Sequence, residues 1–195
     1  MQTKPFILAS ASPRRRELLE RIGLHFTIEA ADTDETLVPG LSPAEQVMRL
    51  SRNKACAIAA LHPEDPVILS ADTVVVLEDT ILGKPADADD ARKMLHALSG
   101  RTHHVLTGVT VMQGSHCQTR CEVTEVHFAA LSDAEIDAYV ATGEPLDKAG
   151  AYGIQGYAAV FAAGISGDYY NVMGLPLHTA AKMLRQAGIP VLEAL

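Results

Sequence analysis

Val67-Ile68-Leu69-Ser70-Ala71-Asp72-Thr73-Val74-Val75-Val76-Leu77-Glu78 is strongly β-branched and reads as a central strand. Helical segments lie on both sides of it. Upstream, Ser42, Pro43 and Glu45 form a capping box that opens a long helix running to about Leu61. Downstream, Asp87 to Leu98 reads as a helix closed by Gly100. Farther out, Phe6 to Ala9 is a short buried strand, and Ser12 caps a helix that starts at Pro13 and stops at Gly23. Phe26 to Ala30 alternates like a second strand, and Asp32 to Leu41 is a polar loop. Two strands near His104–Met112 and Glu122–Ala129, joined around Gly114-Ser115, suit an antiparallel pair. Ser132 and Glu135 form a second capping box, for a helix ending near Gly143. A strand near Ala158–Ile165 and a last helix from about Pro176 to Ala187 complete the pattern. Strands interspersed with helices predict an α/β fold with a mixed sheet. No stretch has the character of a linker, so residues 1–195 are expected to form one domain, with room for two lobes.

The 195 residues suffice for a core without disulfide staples. A hydrophobic content of 48 % against 21 % charged residues excludes a disordered chain. The 16 Lys and Arg against 24 Asp and Glu give a net charge of −8, which argues against a nucleic-acid coat protein. An anion site must then be a local concentration of cations in an acidic molecule. Cys56, Cys117 and Cys121 show neither C-x-x-C spacing nor a zinc pattern and read as reduced thiols. No run approaches a membrane span or a signal peptide, so a soluble cytoplasmic protein is expected.

Three places break the local rules. Arg14, Arg15 and Arg16 occupy the first turn of the first helix, where the macrodipole disfavours each cation by about 0.3–1 kcal/mol. A bound anion would remove the conflict, with free backbone N–H groups and the Ser10 and Ser12 hydroxyls beside the guanidinium forks. A solvated basic turn is the alternative. Lys54 projects between Val47, Leu50, Ile58 and Leu61, in the middle of an apolar stripe, whereas Arg49 and Arg52 point elsewhere as solvated charges. It either snorkels to an edge or is held by a buried anion. Asp72 interrupts the central strand, where a buried carboxylate is costly without a cation or hydrogen bonds. It is a candidate metal ligand or general base, against the alternative of a carboxylate capping loop N–H groups. The loop Asp32-Thr33-Asp34-Glu35 offers a second carboxylate for a metal.

Gly83-Lys84-Pro85 sets a lysine in a constrained turn, and Asp147-Lys148-Ala149-Gly150-Ala151-Tyr152-Gly153-Ile154-Gln155-Gly156 has the glycines for close approach to a ligand. Walker, dinucleotide, zincin and nucleophile-elbow motifs are all missing. The eight histidines show no ligand spacing, and His103 and His104 should face opposite sides of a strand. Dispersed cations, a buried carboxylate and a glycine-rich loop together suit a metal-bound polyphosphate.

Ser10-Ala11-Ser12-Pro13-Arg14-Arg15, Ala71-Asp72-Thr73-Val74, Gly83-Lys84-Pro85, the 147–156 segment and Gly174-Leu175-Pro176-Leu177 closely resemble the Maf family of nucleoside triphosphate pyrophosphatases. The resemblance runs from about Phe6 to Ala187. It implies an elongated α/β fold like that of inosine triphosphate pyrophosphatases, with a cleft between two lobes. It also implies hydrolysis of a nucleoside triphosphate to the monophosphate and pyrophosphate with a divalent cation, Mg or Mn; the charge and the lack of an apolar span already argue against a nucleic-acid or membrane partner. Asp72 matches the family's proton acceptor and Glu35 its second acidic residue, both also metal candidates. Ser10, Arg14, Arg15, Lys54, Lys84 and Lys148 would contact substrate or its phosphates.

Arg14, Thr73 and Gln155 fall where the family's subgroups differ, and match the subgroup acting on dTTP and UTP. The 7-methyl-GTP subgroup would place tryptophan, glutamine and glutamate there, and this chain has no tryptophan. The resemblance thus implies nucleotide-pool housecleaning with a link to cell-division arrest. The alternatives are a 7-methyl-GTP pyrophosphatase and a non-catalytic nucleotide-binding regulator of septum formation. A homodimer is a candidate assembly.

Overall fold

The computed structural model describes residues 4–30 and 32–192. Its strands are β1 (Phe6–Leu8), β2 (Thr27–Ile28), β3 (Val67–Leu77), β4 (Thr80–Leu82), β5 (Thr102–Gln113), β6 (His116–Phe128) and β7 (Ala162–Ser166). Between them run α1 (Pro13–Arg21), α2 (Pro43–Ala59), α3 (Ala88–Leu98), α4 (Asp133–Ala141), α5 (Tyr169–Val172) and α6 (Leu177–Gln186). The strands form one seven-stranded sheet in the order β2-β1-β3-β5-β6-β7, with β4 paired to β3. β1 lies parallel to β2 and β3, while β3–β4 and β6–β7 are antiparallel, so the sheet is mixed as the sequence predicts. Apart from Asp72 and Thr73, β3 is apolar or small throughout, and every residue but Thr73 is buried, as befits the middle of a sheet.

The chain divides into two compact units. The first comprises the residues up to Asp72, Thr107–Glu122 and those from Gly174 onward; the second comprises Thr73–Leu106 and Val123–Met173. In the first unit, Ile7, Ile68, Ala55, Ile58 and Met112 share a core. Helix α2 lies hard against β5: a Cβ on Gly108 would sit 2.2 Å from the Val47 carbonyl oxygen, so only glycine admits that approach. Two buried hydroxyls pin the same helix. Ser51 Oγ lies 3.0 Å from Thr110 Oγ1, and Ser70 Oγ donates to the Ser51 carbonyl at 2.6 Å. The position of α2 on the sheet is therefore fixed by shape and by hydrogen bonds.

In the second unit, His103, Phe128, Tyr152, Phe161 and Tyr139 make a chain of edge-to-face rings. His103 faces inward and is fully buried, with Nε2 2.8 Å from the Tyr152 hydroxyl, whereas the neighbouring His104 side chain is partly exposed and lies 3.5 Å from Glu125. Burial, assisted by His104 and His127, pushes the His103 imidazole down to about 4, so it packs as a neutral ring at pH 7.

Both capping boxes form as the sequence predicts, Ser42 with Glu45 and Ser132 with Glu135. Several boundaries differ. α2 ends at Ala59 and leaves Leu61 exposed beyond it, so Leu61 does not extend the stripe around Lys54. β6 begins at His116, because the two-residue Gly114-Ser115 connection pairs the strands immediately and carries the polar His116–Cys121 stretch into the sheet. The stretch expected as a strand from Ala158 opens instead as a 3-10 turn over Tyr157–Val160, and extends only from Ala162. β4 and α5 are short elements that no periodicity announces. Among the described residues no helix is long and apolar enough to cross a membrane.

Candidate active site

α1 begins at Pro13, and its N-cap residue Ser12 makes no side-chain capping bond. Its first turn contains no acidic residue, so the helix supplies no anion of its own to its positive end. The three arginines then behave differently. Arg16 faces water and pairs with Glu20 at 3.5 Å, one turn on. Arg15 turns inward, with Nη1 donating to Ser10 Oγ at 3.0 Å and Nε to the Gly174 carbonyl at 2.8 Å. Burial lowers its guanidinium to about 10, Arg14 adds to that, and Asp72 and Glu35 pull the other way. It stays charged at neutral pH. The solvated-turn alternative thus describes Arg16, while Arg15 is held with Ser10 at the helix entrance.

Lys54 leaves the apolar stripe of α2 with its side chain only 15 % exposed, and it does not snorkel into water. Its Nζ lies 2.6 Å from Asp72 Oδ1 and 2.7 Å from Glu35 Oε1. The Asp72 side chain is 12 % exposed and that of Glu35 59 %. Of the two alternatives for Lys54 the buried anion holds, and it is Asp72; the cation beside Asp72 is Lys54. Glu35 joins them from the loop. Both carboxylates reach one cationic point within the electrostatic range of Arg15.

The same two carboxylates offer hard oxygen donors suited to Mg or Mn. Among the described residues no group of three or more His, Cys, Asp or Glu side chains is arranged to hold a metal. Two carboxylates without a third protein ligand fit a cation that also takes phosphate oxygens and water, which is how Mg is usually held beside a polyphosphate.

Lys84, Lys148, Gln155 and Thr73 belong to the second unit. The turn carrying Lys84 follows β4 and is tied to the glycine-rich segment, where the Gly150 N–H donates to the Gly83 carbonyl at 3.0 Å. Lys148 Nζ donates to the Glu144 carbonyl and to Asp147 Oδ1, each at 2.6 Å. Gln155 is exposed, and Thr73 follows Asp72 on β3, pointing to the other face of the strand.

Sequence reasoning misses Glu144. Its carboxylate accepts from the Tyr139 hydroxyl and the Tyr157 N–H, each at 3.0 Å. A Cβ on Gly156 would lie 2.2 Å from Glu144 Oε2, so that glycine admits a side chain of this chain itself. Arg49 departs from the solvated charge expected of it: its Nε is buried and its Nη2 donates to the Thr36 carbonyl at 2.5 Å. The sequence signal for such residues is slight, namely polar side chains set beside apolar ones on a helix.

Arg15 and Ser10 at the N-terminus of α1, beside two carboxylates that share one cationic point, mark a class of α/β proteins with a charged site able to receive an anion. Similarity to known proteins narrows that class. The profile of the family described as "Maf-like protein" matches residues 5–187, and the chain belongs to the Maf family. A dTTP/UTP pyrophosphatase of Symbiobacterium thermophilum is 53 % identical over 185 residues, covering 95 % of each chain. A protein of the same name from Anaeromyxobacter dehalogenans is 52 % identical over 189 residues, again covering 95 % of both. One from Bacillus cytotoxicus is 50 % identical over 183 residues, covering 94 % of this chain and 95 % of its own. The Staphylococcus aureus Ham1 protein aligns with 65 % of this chain and 72 % of its own at TM-score 0.45 and 14 % identity, a likeness too slight to bear on the fold.

Proposed function

We propose that this chain hydrolyses dTTP and UTP to the nucleoside monophosphate and pyrophosphate, clearing these or modified pyrimidine nucleotides from the pool. The observation that carries the reading is the meeting of Asp72 and Glu35 at Lys54, beside the half-buried Arg15. The names of relatives about half identical to it over nearly the full chain support the substrate. The three free thiols fit a reducing, cytoplasmic setting.

In this reading Ser10, Arg14 and Arg15 receive the phosphate chain at the open end of α1, where backbone N–H groups and guanidinium forks both favour anions. The family resemblance assigns Lys84 and Lys148 to further phosphate oxygens. Water attacks the α-phosphorus, the α–β anhydride bond breaks, and pyrophosphate departs with the electron pair. Asp72 meets Lys54 through Oδ1, and its second carboxylate oxygen is the one assigned to take the proton from water. Glu35 and Asp72 would also hold a Mg or Mn ion, which when bound supplies neutralisation of the charge developing on the phosphate oxygens. Lys54 keeps the two carboxylates together, so that the like charges do not push each other apart.

A neutral pyrimidine presents carbonyl oxygens and an N–H, which Arg14, Thr73 and Gln155 can address. The flat cationic base of 7-methyl-GTP would instead call for an aromatic face and a carboxylate. Steady-state kinetics on dTTP, UTP and 7-methyl-GTP test the assignment. The first two are expected to show the higher kcat/KM, and a preference for 7-methyl-GTP would reverse the subgroup.

A further inference from the structure

Helix α2 carries more of the site than Lys54. Two turns earlier, Gln46 is only 2 % exposed although its side chain is polar. Its amide makes a reciprocal pair with the backbone of Val38. Nε2 donates to the Val38 carbonyl at 2.6 Å, and Oε1 accepts from the Val38 N–H at 3.2 Å. One turn on, Arg49 Nη2 donates to the Thr36 carbonyl at 2.5 Å and reaches Gln46 Oε1 at 3.5 Å. From within the loop, Asp34 Oδ1 accepts from the Thr36 N–H at 2.8 Å. The helix thus holds the loop at Thr36 and Val38, just after Glu35, and the Asp34–Thr36 bond closes a turn across Glu35 itself.

This anchoring has a consequence for chemistry. Between Ile28 and Pro43 the described residues form no helix or strand, and the Glu35 side chain is 59 % exposed, so packing does not hold its carboxylate. Ordering such backbone costs conformational entropy, and a carboxylate left to find its place at each turnover would meet that cost again. Fastening Thr36 and Val38 to the helix that bears Lys54 ties the Glu35 carboxylate and its ammonium partner to one rigid element. Gly108 and Ser51 in turn fix that helix on the sheet.

We propose that Gln46 and Arg49 are positioning residues that hold the Glu35 carboxylate at the reacting centre. The inference rests on the reading of Glu35 as part of a pyrophosphatase site. It goes beyond that reading in assigning the work to two side chains whose bonds run to the backbone of the loop that carries Glu35.

Gln46→Leu keeps the volume and suits a buried position but removes both bonds to Val38. Amide hydrogen exchange of Val38, dTTP turnover and the Mg concentration for half-maximal activity are measured on this variant, on Glu35→Gln and on the double variant. Exchange at Val38 is expected to accelerate, and turnover to fall about 10- to 100-fold with a raised Mg requirement, the range usual for groups that orient a metal ligand. In the Glu35→Gln background the same substitution is expected to change turnover by less than about twofold, because its target is already gone. If Gln46→Leu does not fold, Arg49→Leu, which frees the Thr36 carbonyl, is carried through the same measurements with Thr36 and Val38 as exchange reporters. Unchanged exchange would overturn the clamp, and faster exchange with parental turnover would overturn its link to catalysis. Additive losses in the double variant would assign Gln46 to general stability. If the parent hydrolyses dTTP and Glu35→Gln does so equally well, the role of Glu35 fails, and the proposal fails with it in a distinguishable way.

Discussion

Asp72→Asn is expected to lower dTTP turnover by at least about 10²-fold and up to about 10⁴-fold, the span that a positioned general base supplies. Asparagine preserves the shape of the side chain on β3, and its carbonyl oxygen can still accept from Lys54. It cannot take a proton from water, and it no longer offers a charged oxygen to a cation. Removing one partner of a buried ion pair typically costs about 3–5 kcal/mol. Here the loss should fall toward or below the lower end, because Lys54 keeps Glu35 as a partner at 2.7 Å. Turnover per folded molecule, with the folded fraction fixed by thermal melting, separates the two effects. A folded Asp72→Asn protein with near-parental turnover would remove Asp72 from the chemistry.

Lys54→Met should act differently. Methionine suits the apolar stripe of Val47, Leu50 and Ile58, so the helix itself loses little. What goes is the ammonium between two carboxylates. Glu35 is more than half exposed and can swing toward water, whereas Asp72 at 12 % exposure loses its directly paired cation and keeps the longer-range field of Arg15. Turnover is expected to drop about 10²–10³-fold, the usual worth of one preorganised charged or hydrogen-bonding group at a reacting centre. The loss of stability should be partly restored by added Mg or Mn, since a divalent cation meets the same two carboxylates. Unchanged turnover per folded molecule, with a large fall in melting temperature, would make Lys54 a structural ion-pair partner.

The two residues show why part of this site is legible in the amino-acid sequence. Asp72 in a β-branched run and Lys54 in an apolar stripe each violate a local rule, and each violation is relieved by the other. Local rules also place both capping boxes and the central strand, because hydrophobic period and cap chemistry act within a few residues. What they do not reach is the partner of a loop. By local rules Glu35 reads as one carboxylate in an acidic stretch; the family resemblance points to it, and the tertiary contact to Lys54 supplies the physical reason. Arg49 fails for the same reason: its angular position on α2 points away from the apolar stripe, and the chain that covers it there is a loop with no pattern of its own. β4 spans three residues and α5 four, too few for a period to declare itself.

The glycine-rich segment gives a subtler case. Its glycines signal close approach, and at Gly156 the close neighbour is the carboxylate of Glu144, already bound to Tyr139 and Tyr157. The spacing signals a tight contact without saying whether a ligand or the chain itself makes it.

Product identity from dTTP with Mg present tests attack at the α-phosphorus most directly. Ion-exchange separation of a partial digest should give dTMP and pyrophosphate in one-to-one ratio, with neither dTDP nor orthophosphate accumulating. Orthophosphate in one-to-one ratio with dTDP would place the cut at the terminal phosphate and contradict attack at the α-phosphorus.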